Sequence, residues 1–216
     1  FSPPEAALLG TAVGYRLGLY LTGNLRGSGA LKVLQQAPRL AFDGFWTSAD
    51  GTTYNLAFDP DVAREVSSQL RQVTRVRQAR RPRQPLPPAL ERKLAEASVI
   101  LARADQDYRT GGFVFGRLRQ SLCDSRTAST AWNRLLPTKG LMREVSRLSW
   151  VSYQNLAEKL AVLRPAQMLV PLEGATLAAE GDLLIGDSLV EVKTTHRTRP
   201  FGRPDLLQVV LYSLFD

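Results

Sequence analysis

The chain has 216 residues, 44% of them hydrophobic, and a formal net charge of +8; that length and apolar share can bury a proper core. The single Cys123 excludes a disulfide framework and fits a reducing compartment, while the single His196 excludes the usual zinc sites and most histidine-based catalysis. No apolar run reaches membrane-spanning length and no secretory signal is visible, so a cytoplasmic protein without membrane association is expected.

The first residue is Phe, so an upstream start is expected. Ser2-Pro3-Pro4-Glu5 is a helix start, with serine as cap, proline in the first turn and glutamate placed for a capping box. That helix runs to about Tyr20 and ends at Thr22-Gly23-Asn24. Residues Ala41–Asn55 are aromatic and contain glycine, which reads as a loop or weak hairpin. Asp59-Pro60 opens a second helix that runs into Arg71, Arg75, Arg77, Arg80, Arg81 and Arg83. Such a run can grip phosphates or serve as a solvated helix end. The prolines of Gln84–Pro88 break the chain, because proline removes a donor and disfavours helix before it. Helix resumes over Ala89–Tyr108 and stops at Gly111-Gly112; Phe113–Leu136 reads as helix broken near Cys123–Ser129. Thr138–Leu163 is a long helix, with Leu141, Val145, Leu148, Leu156, Leu160 and Leu163 forming its apolar stripe.

Three strands follow, at Gln167–Leu172, Ala179–Ile185 and Ser188–Thr194. Gly186-Asp187 between the last two is a two-residue hairpin turn. With that turn, Ile185 faces Ser188, Asp182 comes opposite Glu191, and Glu180 comes opposite Lys193. Strand residues two apart share a face, so Glu191 and Lys193 project together. Adjacent carboxylates repel unless a cation lies between them, and hard oxygen donors of this kind suit Mg²⁺ or Mn²⁺. A divalent ion there polarises a phosphoryl oxygen and helps deprotonate water, while a neighbouring lysine orients that water or offsets developing charge. The net charge of +8 suits a polyanionic partner.

Asp182…Glu191-Val192-Lys193 resembles the core of the PD-(D/E)xK nuclease superfamily, with Gly181 standing where the family carries proline. The helix after Pro204-Asp205 is similar to one in recombination-type members, with Gln208 and Tyr212 on one face and the glutamine directed at the catalytic patch; as a plain amphipathic helix, the same pair would line its polar edge. Gly10–Arg16 and Ala97–Gly111 look like segments of uncharacterised bacterial proteins of this superfamily, which often accompany mobile-element or phage-defence genes. The resemblance implies an α/β fold, with a restriction-endonuclease-like core of a small mixed sheet flanked by helices at 137–216. A helical subdomain at 1–136, with a linker near 82–88, would precede it.

It further implies an Mg²⁺- or Mn²⁺-dependent nuclease acting on DNA, with Asp182 and Glu191 as metal ligands, Lys193 beside the water and Gln208 next to the lysine. The family also takes a carboxylate from the helix before the first strand. Glu144 lies nearer the apolar stripe than Glu158, and Glu144 or Glu180 would complete the shell, with Glu173 a further contender. The other reading is a catalytically silent subunit of the same fold, binding DNA or scaffolding partner proteins of a defence complex. Homo-oligomerisation is compatible with either. Nucleotide-phosphate loops of the Gly-x-x-x-x-Gly-Lys or Gly-x-Gly-x-x-Gly kind are missing. Trp46, Trp132 and Trp150 read as core residues more readily than as base-stacking platforms.

Overall fold

The structure is a computed structural model that describes residues 3–23, 45–47, 51, 53–55, 58–76, 81–109, 116–162, 166–173, 178–185 and 188–190. Six helices are described: α1 (Pro3–Thr22), α2 (Pro60–Thr74), α3 (Pro88–Arg109), α4 (Arg117–Cys123), α5 (Ala128–Leu135) and α6 (Lys139–Val162). Five strands accompany them: β1 (Phe45–Thr47), β2 (Thr53–Asn55), β3 (Ala166–Glu173), β4 (Ala178–Ile185) and β5 (Ser188–Val190).

Helix α1 is the axis of the packed body. It is apolar nearly all round, the pattern of a helix enclosed by others, and Leu8, Leu9, Ala12, Val13, Leu17, Leu19 and Leu21 are all buried. Helices α3 and α6 pack along it. It ends at Gly23, whose φ of 72° is the left-handed conformation glycine supplies without a Cβ clash, and whose N–H closes on Leu19 O at 3.0 Å. Helix α2 starts as its sequence dictates: the Asp59 carboxylate accepts from Asp61 N at 2.8 Å, with Pro60 in the first turn. Its stripe of Val62, Ala63, Val66 and Leu70 faces the core, and α3 and α5 pack against the helix. Thr127 caps α5 through Thr130 N.

Helix α3 buries Leu94, Val99, Ile100 and Leu101, and α6 buries Leu141, Val145 and Tyr153. Tyr153 stacks on Tyr20 of α1 at 4.9 Å between ring centroids, and Trp150 meets Tyr20 edge-on at 5.7 Å. These aromatic contacts tie α6 to α1, each adding about 0.5–1.5 kcal/mol beyond the area it buries.

The expectation of an α/β fold with a mixed-sheet, restriction-endonuclease-like core is corrected here. Of the residues whose side chains are described, 79% are helical, and every buried apolar side chain among them except Phe58 lies in a helix. The core is therefore helix packed on helix. The strands form two ribbons, β1-β2 and β3-β4-β5, and every described pairing in them is antiparallel. The physical reason is that, among the described residues, the apolar faces of α1, α2, α3 and α6 are buried in a core of helices. Strand β3 touches this body where it approaches α1.

Candidate functional site

The strand unit holds the described part of the sequence-predicted site. β3 pairs with β4 from Ala166↔Ile185 to Glu173↔Ala178, with Pro171 opposite Glu180. β4 pairs with β5 through Ile185↔Ser188, Leu184↔Leu189 and Leu183↔Val190. The expected facing of Ile185 and Ser188 is thus present. Glu180 and Asp182 both lie in β4, two residues apart. Glu173 is the last residue of β3. Glu191, Lys193 and Gln208 lie outside the described residues, as does His196.

Glu144 is on α6, one turn from the helix start, and is held by Arg147: Nε donates to its Oε2 at 3.0 Å and Nη2 at 2.7 Å. That hydrogen bond holds the Glu144 carboxyl below the usual glutamate range, so it is a settled carboxylate with a cation already on it. Glu158 lies further along α6. Among the described residues, no group of three or more His, Cys, Asp or Glu side chains could hold a metal ion.

A second constellation lies among α1, α3 and α6. Arg16 is fully buried, donates Nε to Glu91 Oε1 at 3.0 Å and Nη2 to Oε2 at 2.5 Å, and lies 3.7 Å over the Tyr20 ring. Tyr20 Oη donates to the same Glu91 Oε2 at 3.0 Å. Burial pushes the Tyr20 hydroxyl above the ordinary tyrosine range against the pull of Arg16, so it remains a donor. Beside this cluster opens a groove of about 1400 Å³ between α3 and α6. Leu86, Met142 and Trp150 contribute its apolar lining, and Arg92, Lys139, Arg143 and Arg147 its cations. The stripe Lys139, Arg143, Arg147 escaped sequence reasoning, although its i, i+4, i+8 spacing was there to be found.

At the far end of α3, buried charge does structural work. Asp107 Oδ2 accepts from Leu118 N at 3.0 Å, replacing the cap that Gly116 cannot supply to α4. Arg103 Nε donates to Leu135 O at 2.6 Å, a cation on the C-terminal carbonyls of α5. Burial pushes the Cys123 thiol up, away from the thiolate form, against the pull of Arg119. Of the arginine run, Arg75 and Arg83 are exposed and Arg71 is half-buried. Arg81 is half-buried with φ 51°, its N–H donating to Tyr20 O at 2.5 Å, while Arg77 and Arg80 lie outside the described residues. Trp132 and Trp150 are both half-buried. Among the described residues no helix is long and apolar enough to cross a membrane. No family model, no curated protein and no solved structure matches this chain.

Proposed function

We propose that the chain is a metal-dependent nuclease of the PD-(D/E)xK kind that hydrolyses DNA phosphodiester bonds. One observation supports the reading: the described β4–β5 pairs have the register expected from the Gly186-Asp187 spacing. The pairs run from Ile185↔Ser188 to Leu183↔Val190, and on the sequence spacing Asp182 would come opposite Glu191. The two acids then form a non-sequential pair of hard oxygen donors, which fits Mg²⁺ or Mn²⁺ and not zinc or a soft metal. When bound, such an ion supplies Lewis-acid polarisation of the scissile phosphate.

The chain's own groups do the rest. Asp182 and Glu191 hold the site's negative charge, and Lys193, on the same strand face as Glu191, orients the attacking water in line with the leaving oxygen. Gln208 would fix the lysine's position, and Glu144 or Glu180 would complete the shell. Glu144 would first have to leave Arg147.

Asp182→Ala and Lys193→Ala are each expected to abolish Mg²⁺-dependent nicking of plasmid DNA with the fold intact by circular dichroism. Cutting retained by both purified variants refutes the assignment. Binding of DNA by the parent protein with no cutting in Mg²⁺ or Mn²⁺ points instead to a silent, scaffolding role.

A further inference from the structure

The groove between α3 and α6 has an uneven charge balance. Each carboxylate that lines it is already engaged. Glu91 is held by Arg16 and Tyr20, Glu96 accepts from Trp132 Nε1 at 3.3 Å and lies 3.8 Å from Arg92, and Glu144 is held by Arg147. Two of the lining cations, Lys139 and Arg143, are exposed and in no ion pair among the described residues. Arg92 is 73% exposed at its side chain and only loosely tied. The groove thus presents uncompensated positive charge to solvent over an apolar and aromatic floor.

The spacing is as informative as the sign. Lys139, Arg143 and Arg147 recur every four residues, which places them on one face of α6 about 6 Å apart along its axis. Trp150, one turn further, lines the same groove. A row of cations that ends at an indole matches a backbone of regularly spaced phosphates whose bases are free to stack. A duplex cannot use the floor, because its bases are already paired and stacked on one another. An acidic peptide could meet the cations too, but it does not carry a planar base beside each regularly spaced charge.

We infer that this groove is a binding track for single-stranded DNA, with Lys139 and Arg143 on successive phosphates, Arg92 on the opposite wall and Trp150 stacking on a base. The inference deepens the nuclease reading and rests on it for the identity of the polymer.

The test is binding of a fluorescein-labelled oligothymidylate to the full chain in EDTA, which separates binding from cutting. Lys139→Gln with Arg143→Gln, both at exposed positions, is expected to weaken binding about tenfold or more. The same pair is expected to make the log–log salt slope shallower by about 1.4, at ~0.7 per cation on a single strand. Arg117→Gln with Arg126→Gln removes the same charge from exposed positions outside the groove and is expected to leave affinity within about threefold. Oligonucleotide should quench the protein's tryptophan fluorescence, and Trp150→Phe should remove most of that quench.

Equal losses in the two charge variants, or tighter binding of a blunt hairpin duplex than of the single strand, overturn the track. The two proposals fail separately. Cleavage lost in Asp182→Ala with oligothymidylate binding intact supports the track. A Lys139→Gln/Arg143→Gln protein that binds like the parent overturns the track and leaves the nuclease reading standing.

Discussion

Asp107 shows how one side chain in this protein can be tied to a measurable pH dependence. Its carboxyl is pushed above the usual aspartate range, chiefly by burial, against the opposing pull of the Leu118 and Arg117 N–H groups and of Arg103. The folded state therefore keeps this proton to higher pH than the unfolded chain does. The group's contribution favours folding below the ordinary aspartate value, about 3.9, and is lost as pH rises through the raised value. Asp107→Asn keeps an oxygen for Leu118 N and has no proton to lose. Its melting temperature should gain on the parent's as pH climbs from about 4 to neutrality, and a difference that stays constant with pH would contradict the burial argument. Nothing in the local pattern around Asp107 announces this role, because the helix it caps begins after an intervening glycine-rich stretch. The same holds for Arg16: a buried arginine in an apolar helix makes sense only once Glu91, 75 positions away, is beside it.

At the scale of elements, most of the chain was legible. The helix from Pro3 to Thr22, the Asp59-Pro60 start, the proline break before Pro88, the interruption between Cys123 and Ala128, and the turn between Ile185 and Ser188 all follow from caps, prolines and turn residues. These signals are short-range, so they survive without knowledge of the fold. Two glycines show what only the packed structure adds. A Cβ at Gly14, within α1, would meet nothing within 4 Å, so Gly14→Ala should stabilise by about 0.5–1 kcal/mol through helix propensity alone. A Cβ at Gly116 would fall on the Asp107 carboxylate. Gly116→Ala should displace that cap and cost about 1–3 kcal/mol, the usual penalty for orphaning a buried polar group. Urea denaturation of the two variants measures both, and a shift of the same sign in each would show that the packing argument fails.

For the molecule as a whole, stability hangs on the joint between α1 and α3. Arg16 is fully buried, and Glu91 is the group that neutralises it. Glu91→Ala leaves that charge unpaired and should cost about 3–5 kcal/mol, a large share of the ~5–15 kcal/mol that holds a domain together. Replacing both partners together, Arg16→Met with Glu91→Leu, should recover most of the loss. A fall of under ~1 kcal/mol in the single variant would show that Arg16 finds water or another acceptor when Glu91 is gone.

The division of labour between sequence and fold is physical. Turns, caps, apolar periodicity and the hairpin spacing of Ile185 to Ser188 depend on residues a few positions apart, so the amino-acid order alone determines them. The class of the fold does not. Reading an α/β core from the strand-rich stretch gave weight to the part with the clearest chemical motif, whereas the described core is assembled by helices whose apolar faces match across long separations. The Arg16–Glu91 pair, the Asp107 cap and the groove between α3 and α6 exist only because packing brings distant segments into contact. Burial and charge neutralisation are properties of that contact and of no single stretch of chain.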